Sequence, residues 1–224
     1  MDNQLGRVII TIGRESGSGG RKIALRLSEV LGIPCYDKEL IAVAAKNSGL
    51  CEEILESHEE RPTRSFLYSL VMDTYSMGYH AGQIDMPMEQ KVFLAQYNTI
   101  KDLASKESCI FVGRCADYAL EEDPDVVSVF ITADDEDKIR HVMKTYELTH
   151  DSAKNHLQKT DKRRSNYYNY YSNKTWGEAQ TYDLCLNRSR LGFEGTVEAI
   201  VEFVKLKKRH EKDKEAEAAK DAKF

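Results

Sequence analysis

The sequence predicts an α/β fold in which helices cover both faces of a parallel β-sheet. Short β-branched runs that end at a glycine or follow a turn alternate along the chain with segments whose apolar residues recur at helical spacing. The first of these runs leads through a glycine-rich turn directly into a helical pattern, which makes the first half of a βαβ unit. Strands that alternate with helices in this way form a doubly wound sheet with right-handed crossovers.

The predicted strands are short apolar runs. The first, R-V-I-I-T-I-G at 7–13, has the uninterrupted β-branched character of a strand that is buried on both faces. The other strands are expected at 34–36, 108–112, 126–132 and 184–186.

The predicted helices are recognised by their period. An apolar face that begins at Ile23 is ended by Gly32 and Pro34. The stretch 38–106 is too long for a simple crossover and carries helical patterns throughout. We therefore expect a helical insertion between the second and third strands, with its last helix starting at Pro87.

The composition indicates a single domain. The chain has 224 residues, of which 41% are hydrophobic and 31% charged, so we expect one domain over 1–204 and a charged helical tail over 205–224. The net charge of -5 means that any anion site must be local. No apolar run approaches the roughly 18 residues that span a bilayer, no secretory signal is recognised, and the five cysteines show no C-x-x-C spacing. These observations predict a reduced, soluble, cytoplasmic protein.

The most informative segment is the glycine-rich turn between the first strand and the first helix. Successive N–H groups of such a loop point into one concavity that phosphate oxygens can approach, and the helix dipole adds about half a positive charge. A tight glycine turn without a ligand is the alternative. The residues predicted to bind phosphate are Gly13, Arg14, Ser16, Gly17, Ser18, Gly19, Gly20, Arg21 and Lys22.

The turn departs from the phosphate-loop sequence G-x-x-x-x-G-K-[ST]. When the segment 16–19 is aligned with the end of that motif, Gly20 falls where the lysine belongs. Arg21 or Lys22 would then supply the missing charge, and both are predicted to be catalytic. The hydroxyl expected on Mg²⁺ has no clear counterpart.

The sequence resembles the cytidylate kinase-like family of bacterial P-loop proteins, which is related to nucleoside monophosphate kinases. The resemblance is carried by this turn, by Y-D-K-E-L at 36–40, by V-G-R at 112–114 and by the segments at 160–171 and 182–189. The resemblance runs from about residue 7 to residue 204. It implies a three-layer P-loop NTPase-type fold with a central five-stranded parallel sheet and a core that binds ATP with Mg²⁺. It also implies an inserted monophosphate-binding region and a mobile lid at about 150–180.

Asp37 and Arg114 are predicted to bind the acceptor. The resemblance implies that Asp37 faces the acceptor nucleotide, and an N-cap for the helix from Lys38 onward is an equally weighted alternative. Arg114 follows a buried strand at the sheet edge where ligands bind, and the resemblance implies a contact with the acceptor's phosphate or base. The alternative is an ion pair with a residue such as Asp117. Cys115 stands where the known enzymes carry an aspartate.

The segment at 160–171 combines cations with aromatic rings. Phosphoryl transfer needs cations around the transferred oxygens and exclusion of water, so Arg163 and Arg164 are predicted to be catalytic residues of the lid, as the resemblance also implies. Asp161, three residues before Arg164, is spaced to orient it and is assigned to the acceptor side. A solvated helix whose tyrosines pack on the domain is one alternative, and a single-stranded RNA site is another.

The leading hypothesis is ATP-dependent phosphoryl transfer to a small acceptor, with CMP as the family-based first choice. The resemblance makes Asn187, Arg188 and Ser189 candidates to contact the donor nucleotide. The displaced lysine and the missing aspartate favour a non-catalytic nucleotide-binding regulator as the main alternative, and an RNA-binding module is the third. The expected partners are ATP and a small molecule, not a membrane or a nucleic acid. A second subunit is suggested by the inserted methionines Met72, Met77, Met86 and Met88.

Overall fold

The computed structural model describes residues 6–37, 39–49, 53–54 and 86–221. Within these residues, helices pack on both faces of a five-stranded sheet. The strands are β1 (Ile9–Arg14), β2 (Cys35–Tyr36), β3 (Cys109–Val112), β4 (Val126–Thr132) and β5 (Leu184–Asn187). The helices are α1 (Gly20–Leu31), α2 (Glu39–Ser48), α3 (Met88–Lys106), α4 (Ala116–Ala119), α5 (Asp135–Tyr146), α6 (His150–Ser172) and α7 (Arg188–Asp221), with a 3-10 turn at Ala179–Thr181.

The sheet is entirely parallel and has the strand order β2-β3-β1-β4-β5, which confirms the predicted α/β fold. Because parallel strands point the same way, the loops that follow β1, β3 and β4 lie along one edge. The register places Ile12 opposite Val112 and Gly13 opposite Phe130. Ligands of open α/β sheets bind at this carboxyl edge, so the topology brings the predicted site segments together.

The two faces of the sheet bury separate cores. Ile10 and Ile12 of β1 pack with α1 and α7, whereas Ile9 packs on the opposite face with α3, and all three are fully buried. Burying an aliphatic side chain of this size contributes about 1.5–3 kcal/mol. These contacts hold the ends of the central strands, and hence the loops between them, in fixed positions.

Strand β1 is shifted relative to its predicted bounds. It starts at Ile9, and the Arg7 guanidinium that precedes it is bound by the carboxylates of Asp123 and Asp125. It continues to Arg14, which pairs with β4 opposite Ile131. The predicted strand 7–13 was therefore wrong by one or two residues at its ends.

Much of the predicted insertion, including Met72 and Met77, lies outside the described residues. Its last helix, α3, begins at Met88 directly after Pro87, which confirms the predicted start. The division of the chain into an insertion, a lid and a tail stays a prediction.

Helix α6 covers most of the segment predicted as a lid. Its N-cap is Thr149, whose side chain accepts a backbone hydrogen bond from the first turn. The first half packs against α5 through Leu157. The second half buries Tyr167, Tyr168 and Tyr171 in an aromatic cluster. One helix thus connects the carboxyl edge of the sheet to the aromatic cluster.

Helix α7 follows β5 and contains the charged C-terminal residues. It is interrupted at Gly192, which has φ 71° and ψ 179° and is not helical. Beyond that residue the helix packs on the sheet and continues to Asp221. None of the helices in the described part of the chain has the length and apolar character needed to cross a membrane.

Candidate active site

The loop over 15–19 connects β1 to α1 at the carboxyl edge of the sheet. Gly17 and Gly19 have φ values of 75° and 86°, a left-handed conformation that costs glycine little. A Cβ atom on Gly17 would lie 2.8 Å from the carbonyl oxygen of Lys138. The glycines therefore let the loop turn tightly against α5 and direct it into the first turn of α1 at Gly20.

Two amides of this loop and three amides in the first turn of α1 are available to a ligand. The Ser18 N–H donates weakly to the Glu15 carbonyl oxygen at 3.4 Å, and the Ser18 hydroxyl donates to the same oxygen at 2.8 Å. Open N–H groups at the positive end of a helix suit an anion. The amides with no hydrogen-bond acceptor among the described residues are those of Gly17, Gly19, Gly20, Arg21 and Lys22.

Ser16 differs, because its amide is already occupied. Its N–H donates to Asp161 Oδ1 of α6 at 2.6 Å. Burial raises the pKa of Asp161 to about 6, although the hydrogen bond from Ser16 and the charge of Arg164 oppose the rise. Arg164 Nη1 lies 4.0 Å from this carboxylate and 3.5 Å from the carbonyl oxygen of Arg14. Asp161 and Arg164 are neighbours, as predicted, but Asp161 makes its closer contact with the loop. The role of Asp161 at the acceptor stays a prediction.

A second carboxylate braces the loop from its other side. Glu15 Oε2 accepts hydrogen bonds from Thr132 Oγ1 at 2.5 Å and from Lys138 Nζ at 2.9 Å. Burial lowers the pKa of Lys138, but its hydrogen bonds with Asp135 and Glu15 outweigh that effect and raise the pKa above its ordinary value. The ammonium group is therefore charged at neutral pH and ties the loop to α5.

A cavity of about 490 Å³ opens over the loop, which is sufficient for a small-molecule ligand. Of the described residues that line it, six are cationic and two, Glu15 and Asp37, are acidic. The cavity is therefore locally positive although the whole chain carries a net charge of -5. The cationic residues are Arg14, Arg21, Lys22, Arg114, Arg163 and Arg164.

Asp37 joins two of these arginines. Its Oδ2 lies 2.5 Å from Arg21 Nε, and its Oδ1 lies 3.4 Å from Arg114 Nη1. Arg114, whose side chain is 2% exposed, also donates to the carbonyl oxygen of Val112 at 3.2 Å. Arg114 thus has the ion pair considered as the alternative, but the partner is Asp37 and not Asp117. The capping alternative for Asp37 involves Lys38, which lies outside the described residues.

The backbone after β3 is left-handed at three consecutive residues. Gly113, Arg114 and Cys115 have φ values of 72°, 54° and 54°. Each non-glycine residue in this conformation costs about 1–2 kcal/mol. The surrounding packing enforces it, because Arg114 and Cys115 are both buried. Cys115 contributes to the aromatic cluster, so its thiol is shielded from solvent.

The tyrosines of α6 pack against the domain, as the structural alternative predicted. Tyr167, Tyr168 and Tyr171 are 4%, 5% and 2% exposed, and Tyr168 donates its hydroxyl proton to Asp117 Oδ2 at 2.5 Å. Burial raises the pKa of Asp117. Rings buried in this way offer no face to a nucleic-acid base, which weighs against the RNA hypothesis.

Six predicted site residues do not line the cavity. Asn187 Nδ2 donates to Asp134 Oδ1 at 2.9 Å, and the Asn187 amide oxygen accepts from the Ser189 N–H at 2.9 Å. Arg188 Nε donates to the Ser18 carbonyl oxygen at 2.6 Å. Arg188 thus contacts the loop from outside the cavity, whereas Asn187 and Ser189 are bonded to Asp134 and to each other. Contact of these three residues with the donor nucleotide stays a prediction. The six residues are Gly13, Ser18, Asp161, Asn187, Arg188 and Ser189.

The chain is similar to one known protein family and to several solved structures. The sequence profile of the cytidylate kinase-like family matches residues 9–190. The chain belongs to this family. Membership indicates a nucleotide kinase-like phosphotransferase and confirms the resemblance drawn from the motifs. A search of curated proteins finds no match.

Several solved structures resemble this member of the cytidylate kinase-like family. An uncharacterized protein from Eubacterium ventriosum ATCC 27560 is 29% identical, and its structure aligns with a TM-score of 0.67 over 89% of this chain and 99% of that chain. Shikimate kinase from Bacteroides thetaiotaomicron is 14% identical, with a TM-score of 0.49 over 88% of this chain and 98% of that chain. Shikimate kinase from Acinetobacter baumannii in complex with shikimate is 10% identical, with a TM-score of 0.49 over 89% and 93%.

One wall of this family member's cavity was missed by sequence reasoning. Helix α5 contributes His141, Val142, Thr145 and Tyr146, which recur at helical spacing and share one face. Burial lowers the pKa of His141, and the charge of Lys22 adds to the effect. The repeating spacing was visible in the sequence, but the rotation of α5 that turns this face toward the loop depends on tertiary packing.

The cytidylate kinase-like site does not contain a ready-made protein site for Mg²⁺. No group of three or more His, Cys, Asp or Glu residues that could hold a metal ion occurs in the described part of the chain. Of the two cavity carboxylates, Asp37 is held by two arginines and Glu15 by Lys138 and Thr132. Arg21 stands where the motif has its metal-binding hydroxyl. These residues do not fit a protein-ligated magnesium ion, and the expected use of Mg²⁺ stays a prediction.

Proposed function

We propose that the protein transfers the γ-phosphoryl group of ATP to a small anionic acceptor, with a nucleoside monophosphate such as CMP as the first candidate. The single observation that supports the proposal most is the cavity, which is lined by the residues with open amides at the loop and the first turn of α1 and by six cationic side chains. The phosphates of ATP would lie over these amides. The acceptor would lie beside Asp37 and Arg114, and Arg163 and Arg164 would approach the transferred group from α6.

The chemistry requires positioning and charge more than proton transfer. The bond between the γ-phosphorus and the β–γ bridging oxygen breaks as an acceptor phosphate oxygen bonds to the γ-phosphorus, and ADP leaves with the electron pair. Charge on the transferred oxygens can be stabilised by arginine side chains, whose planar forks bind phosphate through two hydrogen bonds. An acceptor that is already an anion needs no general base.

The pairing of Asp37 favours an anionic acceptor over a hydroxyl acceptor. A hydroxyl group would have to lose its proton to a nearby base. Both oxygens of Asp37 face arginines, at 2.5 Å from Arg21 and at 3.4 Å from Arg114. A substrate hydroxyl would have to compete with these arginines for a carboxylate oxygen. The same arginines would instead attract a phosphate group.

A screen of acceptors tests the proposal. The purified protein is incubated with MgATP and each of CMP, UMP, AMP and GMP, and the nucleoside diphosphates formed are quantified by chromatography. We expect turnover with at least one monophosphate and a loss of roughly 100-fold in kcat for Arg164→Ala, because one transition-state contact is removed. The matched control is Arg26→Ala, since Arg26 pairs with Glu29 and Glu194 on the outer surface of α1. The absence of diphosphate with all four acceptors would contradict the proposal.

A non-catalytic nucleotide-binding regulator is the second candidate. It is favoured by Gly20 at the lysine position and by the Asp161 carboxylate on the Ser16 amide. Calorimetry with ATP, combined with the same chromatographic measurement of ADP, separates the two functions. A regulator binds ATP without producing ADP in the presence of any monophosphate, whereas steady ADP production excludes it.

A further inference from the structure

Arg14 and Gly20 occupy two positions at which the phosphate-loop motif has a glycine and a lysine, respectively. When Gly19 is matched to the second glycine of G-x-x-x-x-G-K, the motif's lysine falls on Gly20 and its first glycine falls on Arg14. The chain therefore carries a cation where the motif has a glycine, and a glycine where the motif has its cation.

The two positions share the same space in the folded chain. A Cβ atom on Gly20 would lie 2.6 Å from the Cβ atom of Arg14 and 3.2 Å from its Cγ atom. Real side chains do not approach so closely, so a lysine at position 20 and an arginine at position 14 exclude each other. The aliphatic stem of Arg14 thus begins where the side chain of the motif lysine would begin.

The guanidinium group of Arg14 continues toward the acceptor half of the site. A Cβ atom on Gly113 would overlap Arg14 Nη1, so the guanidinium crosses the backbone directly after β3. Arg14 also lines the 490 Å³ cavity. The side chain accordingly runs from the first turn of α1 to the loop that carries Arg114, between the segments assigned to the donor and the acceptor.

The cations first expected to replace the lysine lie elsewhere. Arg21 Nε is directed to Asp37 at 2.5 Å, away from the first turn of α1. Lys22 lies on an exposed position of α1 at the rim of the cavity. Neither occupies the space beside Gly20 that Arg14 fills.

We propose that Arg14 performs the task of the motif lysine, which is to contact the β- and γ-phosphates of the donor. This inference rests on the proposed function and deepens it, since it names the cation that completes the same site. The exchange explains both departures from the motif at once: Gly20 is small because Arg14 passes it. A guanidinium in this place can bind two phosphate oxygens at a time, which a lysine ammonium does not do in a fixed geometry.

A reciprocal exchange tests the inference. Tripolyphosphate is the probe, because it isolates the phosphate cradle from any contact with the nucleoside. Its dissociation constant is measured by calorimetry for the wild-type chain, Arg14→Met, Arg14→Gly and the double variant Arg14→Gly/Gly20→Lys. Arg14→Met retains an aliphatic stem beside Gly20 without the charge. Arg26→Ala, on the exposed side of α1, is the control for the loss of an arginine outside the cavity.

We expect Arg14→Met and Arg14→Gly to weaken tripolyphosphate binding by about 10- to 100-fold, the effect of losing a charge-assisted hydrogen bond. The double variant, which recreates G-x-x-x-x-G-K, should return to within about threefold of the wild-type value. Gly20→Lys alone should lower the melting temperature because its side chain meets Arg14, and Arg14→Gly should relieve that loss. A merely structural role for Arg14 would not produce rescue by a lysine placed six residues away.

The inference is overturned if Arg14→Met binds tripolyphosphate as tightly as the wild-type chain, if the double variant stays as weak as Arg14→Gly, or if the wild-type chain does not bind tripolyphosphate. The proposed function is judged separately by the acceptor screen. Binding of tripolyphosphate through Arg14 without phosphoryl transfer to any acceptor would leave the inference intact and remove the proposed function.

Discussion

The loops that follow β1 and β3 end at the same edge of the sheet and both use left-handed backbone, but they place different residues in it. In the first loop the left-handed residues are Gly17 and Gly19, which line the cavity and whose amides have no hydrogen-bond acceptor among the described residues. In the second, Gly113 is followed by the left-handed, buried residues Arg114 and Cys115. The first loop therefore offers its main chain to a ligand. The second accepts backbone strain in order to hold one cationic side chain in a fixed direction.

The largest expected effect comes from the second loop. Arg114→Met removes one arginine partner of Asp37 from a buried ion pair, so we expect the free energy of unfolding to fall by about 3–5 kcal/mol. Urea denaturation measures this loss. Arg26→Met, which breaks exposed pairs on α1, should leave the free energy of unfolding nearly unchanged. Equal stabilities of the two variants would show that the second loop is not held by its charge.

A single methyl group added at Gly17 should lower both the stability of the protein and its affinity for ATP. Gly17→Ala forces a left-handed alanine whose Cβ lies 2.8 Å from the Lys138 carbonyl oxygen, so we expect a loss of about 2–4 kcal/mol in unfolding free energy and weaker ATP binding. The matched variant is Gly32→Ala at the end of α1, where φ is also left-handed at 67° but an added Cβ would meet no atom of the described residues beyond its own helix and chain neighbours within 4 Å. This variant should lose only about 1–2 kcal/mol and retain its ATP affinity, as measured by calorimetry. If both variants bind ATP equally well, tight packing of the loop is not needed for the ligand.

The smallest expected effect concerns the carboxylate that caps the first loop. The folded-state pKa of Asp161, about 6, lies above the ordinary value of 3.8, so ionisation of this group destabilises the native state as the pH rises from about 4 through 6. Asp161→Asn should therefore be more stable than the wild-type chain by about 1–3 kcal/mol at pH 8, with the difference vanishing below pH 4. It should also bind ATP more tightly, because a negative charge beside the loop is removed.

Urea denaturation at pH 4, 6 and 8 measures the stability difference. Asp151→Asn is the control, since Asp151 lies on the same helix with its side chain 96% exposed. A constant stability difference between Asp161→Asn and the wild-type chain across this pH range would contradict the assignment of the shift to Asp161.

Elements with strong local patterns were predictable from the sequence. The strand 126–132 and the start of α3 after Pro87 follow from an uninterrupted apolar run and from a helix-starting proline, which require no tertiary information. The glycine-rich turn between β1 and α1 was predictable for the same reason, because a strand, a glycine-rich turn and a helix occur consecutively. The parallel topology then brought Arg114 to the same cavity.

Contacts between distant segments were not predictable. The carboxylate of Asp161 reaches the Ser16 amide across 145 residues, and the side chain of Arg14 passes both Gly20 and Gly113. No local spacing signals such contacts, since they depend on how α6 and the strand ends pack. Counting residues in the motif alone left Arg21 or Lys22 as a substitute for the lysine, whereas packing directs Arg21 to Asp37.

The central claim, that the open amides between β1 and α1 form a phosphate cradle, is tested most directly by backbone amide NMR. ¹⁵N-labelled protein is titrated with ATP, and the shifts of individual amides are followed to saturation. The account predicts large shifts for Gly17, Gly19, Gly20, Arg21 and Lys22, with one common dissociation constant. Saturable binding of ATP that leaves these five amides unshifted would contradict it.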